Sequence, residues 1–93
     1  MSKQLHLIAY DISNNKKRKK ISDLLDRYGE RINLSVYECM LTDVQKEDII
    51  NQLKVIMDKN DIVKIYFICS TCYSKSIHLG KKEPPKETNV FIE

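Results

Sequence analysis

The 93-residue sequence is poor in glycine, proline and cysteine, and it has no long apolar run. Its two glycines are too few for a glycine-rich phosphate-binding loop. No apolar stretch approaches the roughly 18 residues that a membrane-spanning helix needs. The apolar run at 5–10 is too short for a signal peptide and lacks a small-residue cleavage site. We therefore expect a cytoplasmic protein without a membrane segment.

Cysteines are few and odd in number: Cys39, Cys69 and Cys72. We expect reduced thiols. A zinc site needs four ligands, and no second cysteine pair accompanies Cys69 and Cys72. A thioredoxin-type site requires the pair to open a helix, whereas this pair follows a predicted strand. The sequence favours two free thiols in a loop, with a zinc site shared between two copies of the chain as the alternative.

Charge is distributed unevenly along the chain. The net charge is +3, yet five cations are consecutive at 16–20 while the acidic residues are spread out. Each cation at a helix start destabilises the helix by ~0.3 kcal/mol, because it lies at the positive end of the helix dipole. A phosphate ligand would reverse that penalty. We interpret the run as a phosphate-binding site. The alternative is a solvated charged face. The members of this basic run are Lys16, Lys17, Arg18, Lys19 and Lys20.

The first half of the chain has the pattern strand, helix, strand. The run at 5–10 has no helical period and is expected to be a central strand that is buried on both faces. Ser13 is a suitable N-cap for a helix starting near Asn14, and Gly29 is well placed to end it. Alternation predicts a strand at 32–36, after which either a bulge or a tight reversal precedes a strand at 37–41.

The second half repeats the pattern with a clearer helix start. A T-x-x-Q capping box at 42–45 begins the second helix, and 62–68 is a further strand. A weaker strand is predicted at 76–79. This order predicts an α+β, ferredoxin-like βαββαβ domain over residues 1–80. Residues 81–93 form an extended arm whose extra C-terminal strand is suited to pairing with a partner protomer.

Asp11 is the first candidate for chemistry because it follows the predicted central strand and precedes a helix. A carboxylate there can bind Mg²⁺, which takes one or two carboxylates and keeps waters for a substrate phosphate. The alternative is an ordinary strand-end Asp that caps the next helix. Since a Ser-His-Asp grouping and a His-x-x-x-His motif are both missing, acyl transfer is disfavoured.

Three segments of the sequence resemble the small CRISPR-associated endonucleases, the Cas-two family. Y-D-I-S at 10–13, followed by a basic helix start at 14–21, is similar to the family's Y-D-I-[ST] strand end. R-I-N-L-S-V-Y-E at 31–38 resembles its R-[IV]-Q-x-S-V-[FY]-E stretch. Residues 80–92 resemble its L-G, acidic-Pro-Pro and C-terminal strand pattern. The three matches follow the family's order and span nearly the whole chain.

A few positions depart from the family pattern. Asn33 stands where the family often has Gln, and Leu34 where an aromatic is common. Lys19 and Lys20 replace arginines. Lysine keeps the charge but lacks the bidentate fork of arginine, so these phosphate contacts are expected to be looser.

The resemblance implies a homodimer in which each C-terminal strand crosses to the other protomer. It implies that the two Asp11 side chains face each other and share a Mg²⁺ ion. It also implies a role in spacer acquisition, as the central dimer between copies of a larger integrase subunit. Tyr10 and Ser13 would orient substrate or water, and phosphate would be held by Arg31 together with the basic run.

Three functions stay open at this point. The first is a Mg²⁺-dependent endonuclease on single-stranded RNA or double-stranded DNA, with Asp11, Tyr10 and Ser13 as catalytic residues. It would act in CRISPR adaptation and antiviral defence. The second is a non-catalytic scaffold dimer that binds duplex DNA within the integration complex. The third is a toxin-like ribonuclease related by fold.

Overall fold

The computed structural model describes residues 2–80. Within this range no helix is long and apolar enough to cross a membrane. The secondary structure consists of four strands and three helices, with β2 and β3 consecutive and one short helix following the last strand. The elements are β1 (Gln4–Asp11), α1 (Asn15–Asp26), β2 (Gly29–Asn33), β3 (Val36–Leu41), α2 (Asp43–Ile56), β4 (Ile62–Ile68) and α3 (Ser70–Ser74).

The four strands form one antiparallel sheet in the order β2-β3-β1-β4. The run at 5–10 therefore lies in a central strand, as its continuous apolar character predicts. Two interleaved βαβ units with antiparallel neighbours make up the ferredoxin-like arrangement, which confirms the predicted fold. The predicted arm at 81–93 and its extra strand lie outside the described residues, and the homodimer stays a prediction.

Side-chain alternation gives the sheet two different faces. On one face, Ile8 and Tyr10 of β1 join Tyr37 and Cys39 of β3 in the main core beneath α1 and α2. The helices contribute buried side chains of their own to this core: Ile21, Leu24, Leu25, Ile49 and Leu53. The other face carries a smaller cluster in which Leu5 and Met40 are covered by Ile68 and Tyr73.

Both ends of α1 differ from the sequence prediction. The N-cap is Asn14 rather than Ser13, and its side chain accepts the N–H of Lys17 at 2.9 Å. Asparagine caps as well as serine does, so the pattern could not separate adjacent candidates. The helix ends at Asp26, and Gly29 begins β2 instead of ending α1. A Cβ on Gly29 would lie 2.0 Å from the carbonyl oxygen of Glu38, so the close strand pairing requires glycine.

The phase break between β2 and β3 has two causes. The chain reverses through a turn at 34–35, and the register shifts between Arg31 and Asn33. A bulge and a tight reversal are thus both present, each slightly earlier than the predicted position. The N–H of Tyr10 donates to the carbonyl of Ser35 at 3.0 Å and ties this hairpin to the end of β1.

The start of α2 confirms the capping box. Gln45 N–H donates to Thr42 Oγ1 at 3.1 Å, and Thr42 N–H donates to Gln45 Oε1 at 2.9 Å. These two bonds satisfy two of the N–H groups that a helix start leaves without partners.

The prediction of a strand at 76–79 is wrong. Residues there have no strand pairing, and Ile77 and Leu79 are exposed. The segment has strand-forming residues, but a ladder needs a partner, and no strand of residues 2–80 lies alongside it. Gly80 follows with φ +105°, a left-handed conformation that glycine adopts without strain.

His6 is buried on the helix-facing side of β1. Its Nδ1 donates to the carbonyl of Gln4 at 2.9 Å, and its ring meets Phe67 edge-on at 5.5 Å between centroids. Its Nε2 is buried with no hydrogen-bond partner among the described residues. Burial therefore lowers the pKa of His6 below its usual 6.5, since a protonated ring would bury an unpaired N–H.

We predict that the free energy of unfolding falls as pH drops below the unfolded histidine pKa. In that range the unfolded histidine binds a proton and the buried His6 of the folded chain does not. The free energy of unfolding therefore falls by at most about 1.4 kcal/mol per pH unit. The measurement is urea unfolding of wild type and His6→Phe from about pH 7.5 to about pH 5.5. The variant should lose less stability over this range; equal slopes would contradict the assignment.

Candidate functional site

A cleft of about 730 Å³ opens at the carboxyl end of β1, between α1 and the β2–β3 hairpin. It combines predicted site residues with others that the sequence did not indicate. The predicted residues that line it are Tyr10, Asp11, Arg18, Lys19 and Arg31, and the additional polar ones are Asn15, Ser22, Asp23, Asp26 and Ser35. Ser13, Lys16, Lys17 and Lys20 do not line it.

Asp11 is the exposed last residue of β1. Its carboxylate has no hydrogen bond or ion pair with another residue of the described range. The alternative that Asp11 caps α1 is wrong, because Asn14 fills that position. Of the other carboxylates in the cleft, Asp23 pairs with Lys19 and Asp26 accepts a hydrogen bond from Tyr37. Asp11 is thus available to a ligand from outside the chain.

Tyr10 and Asp11 are adjacent in sequence but lie on opposite faces of the sheet. The Tyr10 side chain is buried, and its ring stacks against Tyr37 with 6.4 Å between centroids. Its hydroxyl makes a long hydrogen bond of 3.4 Å to the carbonyl of Leu34, and burial raises its pKa. The structure therefore brings Tyr10 to the hairpin wall of the cleft, while Ser13 is exposed outside the cleft.

Arg31 is held by a polar network at the base of the hairpin. Its Nη2 donates to Ser22 Oγ at 2.5 Å, and its Nε donates to the Tyr37 hydroxyl at 3.2 Å. The Tyr37 hydroxyl donates in turn to Asp26 Oδ1 at 2.7 Å. The hydrogen bond to Tyr37 raises the pKa of Arg31. These contacts limit the orientations of an otherwise exposed guanidinium group.

Sequence patterns did not reveal the partners of Arg31. Arg31 and Tyr37 are cross-strand neighbours on one face of the hairpin, so an assigned register would have paired them. Ser22 and Asp26 are one helical turn apart on α1 and face that same position. These partners of Arg31 could be predicted only after the hairpin turn had been located at 34–35.

Arg18 is the second arginine of the cleft. Its Nη1 donates to the carbonyl of Ile12 at 3.0 Å, and its Nη2 donates to Asn15 Oδ1. The side chain is thereby folded back over the junction between β1 and α1. It contributes a fixed positive charge to the end of the strand that carries Asp11.

The basic run does not form one surface, because a helix turns by about 100° per residue. Lys17 pairs with Asp58, and Lys19 pairs with Asp23 at 3.1 Å. Lys16 and Lys20 are exposed and have no partner in the part of the chain that the structure describes. They are four residues apart and therefore lie on one side of α1, outside the cleft.

The carboxylate of Asp11 suits a hard cation such as Mg²⁺. No group of three or more His, Cys, Asp or Glu residues within 2–80 could enclose a metal ion. A single chain therefore offers an open site with one protein carboxylate, which fits the small number of protein ligands that Mg²⁺ takes when it also contacts substrate phosphate.

Comparison with known proteins identifies the family. The model of the family described as CRISPR associated protein Cas2 matches residues 4–76. The chain belongs to the Cas2 family. The match covers the sheet and all three described helices, including the cleft, so the resemblance seen in the sequence is confirmed.

Curated relatives and solved structures in this family align over most of the chain. A CRISPR-associated endoribonuclease Cas2 of Methanospirillum hungatei is 35% identical, over 86% of this chain and 90% of its own. A CRISPR-associated endonuclease Cas2 of Thermus thermophilus is 40% identical, over 71% of this chain and 74% of its own.

Two solved structures show the same fold. Streptococcus pyogenes Cas2 superposes with a TM-score of 0.72 at 28% identity, covering 82% of this chain and 99% of that one. A chain of a partial Cas6-RT-Cas1–Cas2 complex gives a TM-score of 0.70 at 26% identity, covering 82% of this chain and 84% of that one.

We predict that Tyr37→Phe lowers the free energy of unfolding by about 1–3 kcal/mol, because Ser22, Asp26 and Arg31 all lose a partner. Urea unfolding measures the loss. Tyr10→Phe is the matched control: it removes one long hydrogen bond and should cost less than about 1 kcal/mol. Equal losses in the two variants would contradict the network.

Proposed function

We propose that this Cas2-family chain is a Mg²⁺-dependent endonuclease that hydrolyses phosphodiester bonds of RNA or DNA. The observation that carries the proposal is an uncommitted Asp11 carboxylate at the end of the central strand, at the edge of the cleft that the oriented Arg18 and Arg31 line. The names of the relatives, endoribonuclease and endonuclease, support this class of reaction.

The charges of the cleft explain why a cation is part of the proposal. A carboxylate repels a phosphodiester, so Asp11 by itself would weaken substrate binding. Mg²⁺, when bound, supplies Lewis-acid activation and neutralises phosphate charge. Arg18 and Arg31 have the planar donors that hold phosphate oxygens, and their protein contacts reduce the orientational freedom lost on binding. The cleft contains no histidine that could act as a dedicated general base.

A homodimer would complete this site. Asp11 lies on the sheet face opposite the helices, where a second copy of the chain could bring its own Asp11 nearby. Two facing carboxylates repel each other, and a shared divalent cation relieves that repulsion. We include the homodimer, with one Asp11 from each protomer as the metal ligands, in the proposal.

The test of catalysis is Asp11→Asn, which removes the charge and preserves the shape. We expect Mg²⁺-dependent cleavage of labelled RNA and DNA to fall by roughly two orders of magnitude or more. Asp48→Asn makes the same change at an exposed position of α2 and should retain wild-type activity. Comparable activity in wild type and Asp11→Asn would rule out this mechanism.

A second candidate is a scaffold that binds duplex DNA without cleaving it. The specific observation in its favour is the exposed pair Lys16 and Lys20, which no described carboxylate neutralises. The complex that contains Cas1 and Cas2 supports a larger integrase partner, Cas1, for this chain as well. In this role the dimer would bind the backbone of new spacer DNA during adaptation and antiviral defence.

The double variant Lys16→Glu with Lys20→Glu tests the scaffold. Each lost phosphate contact should reduce the slope of log K against log salt by about 0.9, so duplex binding weakens and becomes less salt-dependent. Lys54→Glu with Lys75→Glu makes the same change in net charge elsewhere and should have little effect. Equal weakening by both pairs would mean that overall charge, rather than this side of α1, governs binding.

A further inference from the structure

The pair Cys69 and Cys72 has a geometry that the sequence did not predict. Cys69 follows β4 directly and is also the N-cap of α3, so the pair opens a helix rather than lying in a loop. The Cys69 sulfur accepts the N–H of Cys72 at 3.4 Å, and the Cys69 carbonyl accepts the N–H of Tyr73 at 2.9 Å. The strand and the helix thus hold the two cysteines on one turn.

Cys72 reaches the Cys69 sulfur through its backbone N–H, so the two residues are neighbours in space as well as in sequence. The Cys72 N–H, followed by the neighbouring Cys72 thiol, lowers the pKa of Cys69, and the nearby Cys69 side chain raises the pKa of Cys72. One sulfur is therefore favoured as the thiolate nucleophile while its neighbour keeps its proton.

A disulfide between these residues is compatible with the backbone. Helical rise and radius put Cα atoms three residues apart at about 5 Å. Disulfides span Cα separations of about 4.4–6.8 Å. Cys72 is exposed and Cys69 is half-buried, so an external reactant can reach the pair.

Neither the third cysteine nor a metal site is an alternative to thiol exchange at this pair. Cys39, the third thiol, is fully buried in the core, and burial raises its pKa to about 12. It is therefore inert toward exchange. No third His, Cys, Asp or Glu within 2–80 joins the pair to form a metal site. What distinguishes Cys69 and Cys72 is their position on one turn, where the Cys72 N–H reaches the Cys69 sulfur, and their access to solvent.

We propose that Cys69 and Cys72 form a reversible dithiol–disulfide exchange site that reacts with low-molecular-weight disulfides. The Cys69 thiolate attacks one sulfur of the small disulfide, forms a mixed disulfide and releases one small thiolate. Cys72 then loses its proton to solvent and attacks the Cys69 sulfur, which releases the second thiolate. The two protein thiols are oxidised, and the small disulfide is reduced to two thiols.

Oxidation at this site would constrain a defined part of the fold. Tyr73, next to Cys72, packs against Leu5 and Met40 on the sheet face opposite α1 and α2. A disulfide would link the end of β4 covalently to the helix that carries this side chain. The redox state would therefore bear on how Tyr73 covers Leu5 and Met40.

The experiment exposes the folded full-length chain to excess glutathione disulfide, then blocks free thiols by alkylation and maps the peptides by mass spectrometry. We expect a protein lighter by two hydrogen atoms, with Cys69 linked to Cys72 and Cys39 free. Excess reduced glutathione should restore both thiols. A chain that keeps three free thiols, or one in which the pair links only to other chains, would overturn the proposal.

Single variants test the order of the two steps. Cys72→Ser removes the resolving thiol, so the glutathione adduct on Cys69 should accumulate about tenfold or more above its wild-type level. Cys69→Ser leaves the less acidic thiol and should form its adduct at least about threefold more slowly than Cys72→Ser. Adducts that form equally fast in both variants would contradict the assignment of Cys69 as nucleophile. None of these readouts depends on nuclease activity.

Discussion

The pairing of β1 along both of its edges is the constraint on which the rest of the structure depends. Because β3 and β4 hydrogen-bond to it from either side, the register of this strand cannot slip without exposing its apolar side chains. Alternation then determines what each residue of the strand can do. Ile8 and Tyr10 must face the helices, and Asp11 must face away from them. The same alternation that buries Ile8 and Tyr10 in the core leaves the Asp11 carboxylate exposed at the edge of the cleft.

Charge in the cleft is organised by hydrogen bonds more than by ion pairs. Arg18 and Arg31 are anchored to a carbonyl, an amide oxygen and hydroxyl groups, so their positive charge is not cancelled by a direct carboxylate contact. The acidic residues Asp23 and Asp26 are engaged by Lys19 and Tyr37. The proposed function depends on this arrangement, because it assigns a phosphate backbone to the arginines and a cation to the free carboxylate. Exposed ion pairs such as Lys19–Asp23 contribute little to stability, typically below about 1 kcal/mol.

Much of the fold was predictable because local signals agreed with the tertiary structure. The capping box at Thr42, the strand Ile62–Ile68 and the central strand ending at Asp11 all correspond to observed elements. The N-cap is Asn14 and not the predicted Ser13, because these two adjacent residues have equal capping ability. The role of Gly29 and the lack of a strand at 76–79 could not be read from propensity, since both depend on which strand lies alongside.

The candidate site, like the fold, was predictable from the sequence only in part. The sequence placed Asp11, Arg18 and Arg31 in one site through their family motifs, and the cleft contains all three. It treated the basic run as one unit, although helical rotation separates Lys16 and Lys20 from the residues inside the cleft. The network of Ser22, Asp26 and Tyr37 required a known hairpin register. The hydrogen bond from the Cys72 N–H to the Cys69 sulfur required a known helix start.

The sequence by itself determined the order of the elements, the family and the residue types available for phosphate chemistry. Those properties follow from periodicity, capping and short motifs, each of which is encoded within about ten neighbouring residues. The tertiary structure alone decided which charges are neutralised within the chain and which stay available, and which thiols solvent can reach. Such properties depend on contacts between distant segments, as when Asp58 engages Lys17 or Tyr37 engages Asp26, and local pattern carries no information about those contacts.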